Sequence, residues 1–565
     1  MQVIIDKKKI EAQKDETILE LSQRVGIFIP YLSYHPEITN KGGDRVALVE
    51  IKGENKLKSA ETTKVSEGMI IFTNSDKVKK FRRLNLELIF ASHIEKCADC
   101  TLRFNCRLLE LARLYQIKIS EFSDRKTSRK TYKFSNAVEI DGTQCIDCGN
   151  CIEACALQGI NFLEFSGKGY RQELRPVNDK KRVCIHCGQC TNVCPVAAAQ
   201  EQMEWPQVEE VLADKTKIVV AQFAPAARVS IGEEFGMKVG TNCAKKINTA
   251  LKKLGFAHSF DINFGADITT MIEAEELLQR IKDNKKIPLF TSCCPAWVSY
   301  VESYYPELLP HLTTARSPHI HSAGAIKTYF AKAKGLDRRQ IKVVSIVPCT
   351  AKKHEAARAE LRYRKEPLVD YVLTVREFAF MLKKRQIDFA RLKDSETEPF
   401  FNDGTGAAAI YGASGGVMES ALRTALYLSN FKQKKVIDNF QLKFQNFSGN
   451  KDIKEAEIMI GRRKLRVAVV SGIANFQHIL PHLRRYHYIE VMACPGGCVG
   501  GGGQPFPSTK EIKKARAKAL RQIDKNKKDR CAHENKVMLE YLNWVKTNRL
   551  EEKLLHTKYY SRKRT

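Results

Sequence analysis

The residues most able to do chemistry in this 565-residue chain are its 18 cysteines, and 11 of them fall between Cys97 and Cys194 in three tight groups. Cys145-x2-Cys148-x2-Cys151-x3-Cys155 recurs as Cys184-x2-Cys187-x2-Cys190-x3-Cys194, followed by Pro195. Repeats of this spacing hold two 4Fe-4S clusters, each fourth cysteine crossing to the other cluster. Cys145, Cys148, Cys151 and Cys194 are expected on one, and Cys184, Cys187, Cys190 and Cys155 on the other. Zinc ribbons would leave half of these thiols idle, although Cys155 lacks the usual following proline. Upstream lies His93-x3-Cys97-x2-Cys100-x5-Cys106. On ligand chemistry alone this group suits zinc or a 4Fe-4S cluster, and in a cluster the imidazole would raise the potential.

Five further cysteines stand in three separated motifs: Thr291-Ser292-Cys293-Cys294-Pro295, Pro348-Cys349-Thr350-Ala351-Lys352-Lys353-x-Glu355, and Glu490-x-Met492-Ala493-Cys494-x3-Cys498 with glycines at 500–503. A single buried cysteine is usually packing, but five in three loops are not. Adjacent Cys293 and Cys294 cannot easily share one metal, so one of them is left free. Glu273 and Glu276 share one face of the helical stretch MIEAEELLQRI. The plainest reading of that face is a solvated acidic surface with Arg280 paired to Glu276.

The elements that must position these groups follow from periodicity. Residues 1–77 read as a small β-rich module around one amphipathic helix, 78–127 as a helical segment with the first cysteine group, and 128–206 as loops carrying the next two. Over 207–510, apolar runs such as IKVVSIVPC and YHYIEVMAC alternate with helical patterns, which indicates an α/β domain of mostly parallel strands. Three runs lead straight into cysteines, placing sulfurs at strand carboxyl ends, where open α/β sheets gather ligands. A helical, basic segment spans 511–565.

Hydrophobic residues make 43% and charged residues 28% of the chain, as in globular proteins. Lys plus Arg is 94 against 64 Asp plus Glu, a formal +30 that thiolates on metal would reduce. No nucleic-acid-binding motif accompanies it, so an acidic protein partner is expected and nucleic acid is not. No run of 18 apolar residues and no signal-peptide core appear, so membrane insertion is not expected and a cytoplasmic location is. A reducing compartment makes metal, not disulfides, the use of the cysteines.

With these motifs the chain resembles the iron-only (FeFe) hydrogenases in their long, multi-cluster form, over essentially its full length. The resemblance implies an enzyme of reversible hydrogen cleavage, with a β-grasp ferredoxin-like first domain and a two-lobed α/β catalytic domain. It implies an H-cluster: a 4Fe-4S cluster on Cys294, Cys349, Cys494 and Cys498, bridged through Cys498 to a diiron unit with CO, cyanide and azadithiolate. It implies that Cys293 passes protons to that unit, Lys352 bonds a cyanide, and Glu273, Thr313, Glu276 and Arg280 lead protons outward. Around the diiron unit it places Pro225, Ala226, Val347, Met492 and His319. Maturation proteins and a ferredoxin-like electron partner are further implications. Assembly-factor relatives lack the diiron-site residues, and sensor relatives commonly lose the Cys293 thiol.

The chain departs from the family in places. The first domain's 2Fe-2S ligand frames hold Ser33, Asp44, Ala47 and Glu61, so three accessory 4Fe-4S clusters and no 2Fe-2S cluster are expected. A folded module without its redox centre suggests a docking role, as in larger assemblies such as hydrogen-dependent carbon dioxide reductases. Val347 stands for a common Met, Ala226 for a hydroxyl, and His319 for an amide, with His319 expected to titrate near neutrality. The glycine run is expected to let backbone approach the cofactor.

Overall fold

The first 75 residues close on a small apolar core. Strand β1 (Gln2–Ile5) buries Val3 and Ile5, turns back as β2 (Lys8–Glu11), and pairs in parallel with β5 (Ile70–Phe72). The parallel pairing needs a crossover, supplied in part by the helix Ile18–Arg24. Thr17 starts it with a capping box: its hydroxyl accepts from Glu20 N at 3.2 Å and its N–H donates to the Glu20 carboxylate at 2.9 Å. With β3 (Leu48–Ile51) and β4 (Lys58–Ser59) the order is β2-β1-β5-β3-β4, the β-grasp arrangement expected. The computed structural model describes residues 1–93, 97–429, 442 and 444–562.

The helix Asp76–Ala91 fastens this module to the cysteine-bearing part of the chain. Its Arg82 is fully buried and donates to Val46 O at 3.1 Å, Leu48 O at 2.7 Å and the Tyr115 hydroxyl at 2.9 Å. The ferredoxin-like part is built on the hairpin β6 (Thr131–Phe134) and β7 (Val138–Asp141), extended by β10 (Ala199–Glu201), beside a second hairpin, β8 (Leu163–Ser166) and β9 (Glu173–Pro176).

Two sheets organise the catalytic part. Strands β12 (His258–Asp261), β11 (Ile218–Phe223), β14 (Ile341–Val347) and β15 (Tyr371–Thr374) form, in that order, a wholly parallel sheet. The second runs β13 (Leu289–Phe290), β19 (Tyr488–Met492), β18 (Arg463–Ser471), β17 (Asn450–Ile460), β16 (Gln445–Phe447). Its first half is parallel and its second antiparallel, so among the described residues five of the seven strand pairings in the two sheets are parallel, the mostly parallel architecture expected. Two residues join β17 to β18, with Gly461 at φ 60°, and so short a link permits only an antiparallel pair. The expectation about strand ends holds, since β13, β14 and β19 end within three residues of Cys293, Cys349 and Cys494.

The C-terminal segment is helical over Lys510–Asn526 and Lys536–Thr547, then returns as an extended strap. Thr557 N donates to Thr314 O at 2.8 Å and Arg316 N to Leu555 O at 3.0 Å.

Candidate active site and its iron-sulfur approach

Between the two sheets lies a cavity of about 70 Å³, room for a multi-atom group where a single water needs about 10 to 15 Å³. The ends of β11, β14 and β19 supply its walls. Pro225, Ala226, Val347, Met492 and His319 all line it, together with Cys293, Cys349, Lys352 and Cys498. Pro225 and Pro295 each occupy the first turn of a helix, where a missing N–H costs nothing, so each loop turns sharply from strand to helix. Cys294 sits at the N-cap of Pro295–Tyr304, with the backbone N–H groups of Ala493, Trp297 and Ala296 directed at its sulfur.

Cys294, Cys349, Cys494 and Cys498 gather beside this cavity. Burial first, then one another's charge, pushes the thiols up: Cys349 to about 12, Cys494 and Cys498 further. Four such thiols cannot ionise together in water-free surroundings, and a multi-iron cluster supplies the positive charge that allows it. The donor set, the facing N–H groups and the adjoining cavity fit the H-cluster that the sequence implies.

Lys352 stays charged here. Burial works against it, but Glu355 outweighs burial, its carboxylate 2.6 Å from Nζ and held down to about 2. Nζ also donates to Cys293 O at 3.1 Å. His319 departs from the expectation that it titrates near neutrality: burial, then the Lys352 charge, lowers its pKa. Its Nε2 is 2.7 Å from Glu355, and its Nδ1 is 3.3 Å from Ser345 Oγ, which accepts from Gln222. That chain fixes a neutral ring with the proton on Nε2, steadying the carboxylate that holds Lys352.

Cys293 is buried, its thiol pushed far up by burial and then by Glu273. Glu273 and Glu276 lie one turn apart on the helix Asn263–Asp283. Glu273 is wholly buried and raised to about 8 by desolvation, against the Tyr488 hydroxyl that donates to its Oε1 at 2.6 Å. Its Oε2 has no partner among the described residues. Glu276 Oε2 accepts from Thr313 Oγ1 at 2.7 Å, Thr314 N at 2.8 Å and Thr314 Oγ1 at 3.0 Å. The expected Arg280–Glu276 pair is present, but the face is not solvated: Arg280 is buried and also donates to the carbonyls of Lys286, Pro310, His311 and Leu312.

The accessory cysteines fall into groups in the same way. After burial, the neighbouring Cys194 helps raise each thiol of Cys145, Cys148 and Cys151, and these four line one cavity. Cys184, Cys187, Cys190 and Cys155 form the second group. The two loops have the same backbone: Asp147 and His186 both take positive φ, 57° and 64°, and each donates its N–H to the preceding cysteine sulfur at 3.4 Å. Cys97, Cys100 and Cys106 interact with one another. His93 engages Gln144 O through Nδ1 at 2.9 Å, and its Nε2 has no hydrogen bond among the described residues, which exclude 94–96.

The groups stand in line. Cys100 feels Cys194, Cys151 feels Cys190, and Cys187 feels Cys349 while its carbonyl faces Cys494. The glycine run packs closely on protein. A Cβ at Gly501 would lie 2.1 Å from Pro348 O, and one at Gly502 would lie 2.5 Å from Gly188 Cα in the second cysteine loop.

In the first module Ser33, Asp44, Ala47 and Glu61 do converge and are buried. Asp44 accepts from Ser33 N at 2.5 Å and Val46 N at 2.8 Å. Burial, then Asp44, raises Glu61 to about 8. No cysteine precedes Cys97, and this oxygen-only, partly protonated set does not fit a thiolate-held 2Fe-2S cluster. Sequence reasoning missed Tyr488 and Thr314, and it quoted Glu355 and Glu490 within their motifs without a role; the Glu490 carboxylate accepts from Gly415 N at 2.6 Å and Met418 N at 2.8 Å at the start of Gly416–Leu428.

Known families and proteins are similar to this chain over nearly its whole length. The C-terminal domain of the iron-only hydrogenase large subunit matches residues 217–502, a 4Fe-4S dicluster domain 144–198, a 2Fe-2S cluster binding domain 1–76, and the iron hydrogenase small subunit 510–562. The chain is 37% identical over 584 residues to the NADP-reducing hydrogenase subunit HndD of Solidesulfovibrio fructosivorans, covering 100% of this chain and 99% of that one. It is 38% identical over 580 residues to iron hydrogenase 1 of Clostridium pasteurianum, covering 99% of each. A solved FeFe-hydrogenase from Chlamydomonas reinhardtii matches with a TM-score of 0.57 at 33% identity, over 64% of this chain and 99% of that chain.

Fold and site together define an iron-sulfur oxidoreductase acting on hydrogen. The chain belongs to the iron-only (FeFe) hydrogenase family, and it catalyses reversible hydrogen cleavage with electrons carried along an iron-sulfur relay.

Proposed function

We propose the following division of roles. Cys294, Cys349, Cys494 and Cys498 would hold the H-cluster, with Cys498 facing the cavity that would take its diiron unit. When bound, that unit supplies the open metal position at which hydrogen is split or formed. Cys293 Sγ, free of metal, carries the proton between that unit and Glu273, and Thr313 and Glu276 carry it onward. A thiol suits this step because its sulfur can accept one proton and pass another on, and burial with the neighbouring Glu273 returns Cys293 to its protonated form after each transfer. Lys352 is a fixed point charge for an anionic ligand of the diiron unit, and Pro225, Ala226, Val347, Met492 and His319 exclude water from it. Cys145, Cys148, Cys151 and Cys194, then Cys184, Cys187, Cys190 and Cys155, hold two accessory clusters. His93, Cys97, Cys100 and Cys106 hold the third as a 4Fe-4S cluster.

The observation that carries this reading is the contiguity of four cysteine groups that ends at a cavity walled by a further thiol, Cys293, and a charged lysine. Infrared spectra of the anaerobically matured protein test it: CO and cyanide bands are expected, and they should vanish in Cys498→Ala.

Residues 1–77 are read as free of a 2Fe-2S cluster, giving about 18 iron atoms per chain, three accessory clusters and a six-iron active site. A content of about 20 with a plant-type 2Fe-2S signal would sink that reading. The partner is a ferredoxin-like electron carrier or subunit of acidic surface, matched to the formal +30, in the cytoplasm; the relative HndD is by name a subunit of an NADP-reducing hydrogenase. Maturation proteins must deliver the diiron unit.

A further inference from the structure

The C-terminal strap brings a titratable ring to the outer end of the proton path. Residues 555–557 run antiparallel beside 314–316, with His556 opposite Ala315. This register sets His556 Nδ1 2.9 Å from Thr314 Oγ1, and the same hydroxyl lies 3.0 Å from Glu276 Oε2. We propose that His556 is the outer station of the path, linked to Glu276 through the Thr314 hydroxyl. The inference rests on the reading of Glu276 as a path member and carries the path onto a segment 240 residues away in sequence.

A hydroxyl donates one hydrogen bond and accepts two. With Glu276 ionised, Thr314 donates to the carboxylate and accepts from His556 Nδ1–H. With Glu276 protonated, the carboxyl donates to Thr314, which donates to a bare Nδ1. Passing from the second state to the first breaks the O–H bond of Glu276, exchanges that of Thr314 and forms N–H at His556. The ring then loses its Nε2 proton to water. One proton enters, one leaves, and no electron moves.

Arg280 cannot serve this way. A guanidinium does not give up its proton in a protein, and this one is spent on four carbonyls and Glu276. It is a positioning residue for Glu276. An imidazole does exchange protons in the neutral range. His556 is half-buried, and among the described residues its Nε2 makes no hydrogen bond. The charged and titratable groups around it are Glu276 across Thr314, Arg316, whose Nε donates to His556 O at 2.8 Å, and His321, whose Nε2 meets Leu555 O at 3.0 Å.

The test uses the full-length, anaerobically matured enzyme. T314V and H556A should each lower hydrogen turnover about tenfold, and imidazole added to the assay should restore H556A. H556Q, which can hydrogen-bond but not titrate, should behave as H556A does without imidazole. In infrared difference spectra the protonated-carboxyl band of Glu276, identified by its loss in E276Q, should shift in T314V and H556Q. If E276Q is impaired while T314V, H556A and H556Q match the wild type in rate and carboxyl band, the role of His556 is refuted and the rest of the path stands. A loss in H556A that imidazole does not rescue and H556Q does not share is a packing effect and also overturns it. Wild-type turnover in E276Q removes the path itself, and His556 with it.

Discussion

Cys293 and Cys498 differ in what their loss should remove, although both face one cavity. Cys293→Ala deletes a proton-carrying atom and no ligand, so the diiron infrared bands should persist while turnover is nearly abolished; normal turnover with full bands would refute the relay. A subtler test lies one residue further out. The Tyr488 hydroxyl lowers a Glu273 carboxyl that burial has raised to about 8. Tyr488→Phe removes that donor, so the Glu273 pKa rises further. The pH profile of turnover should move to higher pH, with about a tenfold loss near neutrality, from the roughly 1.5 to 3 kcal/mol that a hydrogen bond to a charged group contributes. An unmoved profile would show that Glu273 does not titrate in the rate-limiting path. Ligand sets were legible in the sequence because metal chemistry fixes spacing within a loop. Tyr488, Thr314 and His556 were not, because their partners lie 215, 38 and 242 residues away and nothing local marks a contact made only by packing.

Elements were legible where one period dominated, as in the run that became β14, and where turn chemistry repeated, as in the two cysteine loops. The glycine run was legible as a demand for close approach, and the structure adds a protein neighbour that the sequence did not name. Gly502 abuts the loop of Cys187 and Gly188, and Arg376 ties the same junction together, donating to Gly502 O at 2.6 Å and Gln504 O at 2.9 Å while paired with Glu201. Removing one partner of a buried pair costs about 3 to 5 kcal/mol, so Arg376→Ala should lower the thermal midpoint and loosen the junction between the second cysteine loop and the catalytic sheets. Hydrogen exchange should report this as lost protection at residues 186–194 and 498–504, and unchanged protection there would refute it. The Ser33–Asp44–Glu61 cluster gives a pH signature. Glu61 is raised when folded, so its contribution to stability is greatest below the ordinary carboxylate pKa and is lost as pH rises to about 8. Glu61→Gln should therefore match the wild type near pH 4 and gain on it progressively up to about pH 8, read as exchange protection over residues 33–61; an equal difference at every pH would mean that Glu61 is not protonated in the fold.

At the scale of the whole molecule, the first module is welded on. Deleting residues 1–77 would strand Arg82 without its partners Val46 O and Leu48 O, and would strip Gly43 and Ser33 from the loop of Cys148 and Asn150. A docking role for the module is therefore better probed by changing its surface than by removing it. The line of cysteine groups makes a cleaner statement. On the proposed ligand assignment, electrons leaving the active site would pass the Cys187 group, then the Cys194 group, with the group of His93, Cys97, Cys100 and Cys106 at the far end. Cys97→Ser should remove about four irons and leave hydrogen–deuterium exchange intact, since that reaction needs no electron exit, while reduction of a protein partner falls sharply. His93→Cys should keep the iron but lower the potential of that cluster, because a fourth thiolate replaces a neutral imidazole. Partner reduction at the wild-type rate in Cys97→Ser would mean that electrons leave by another face.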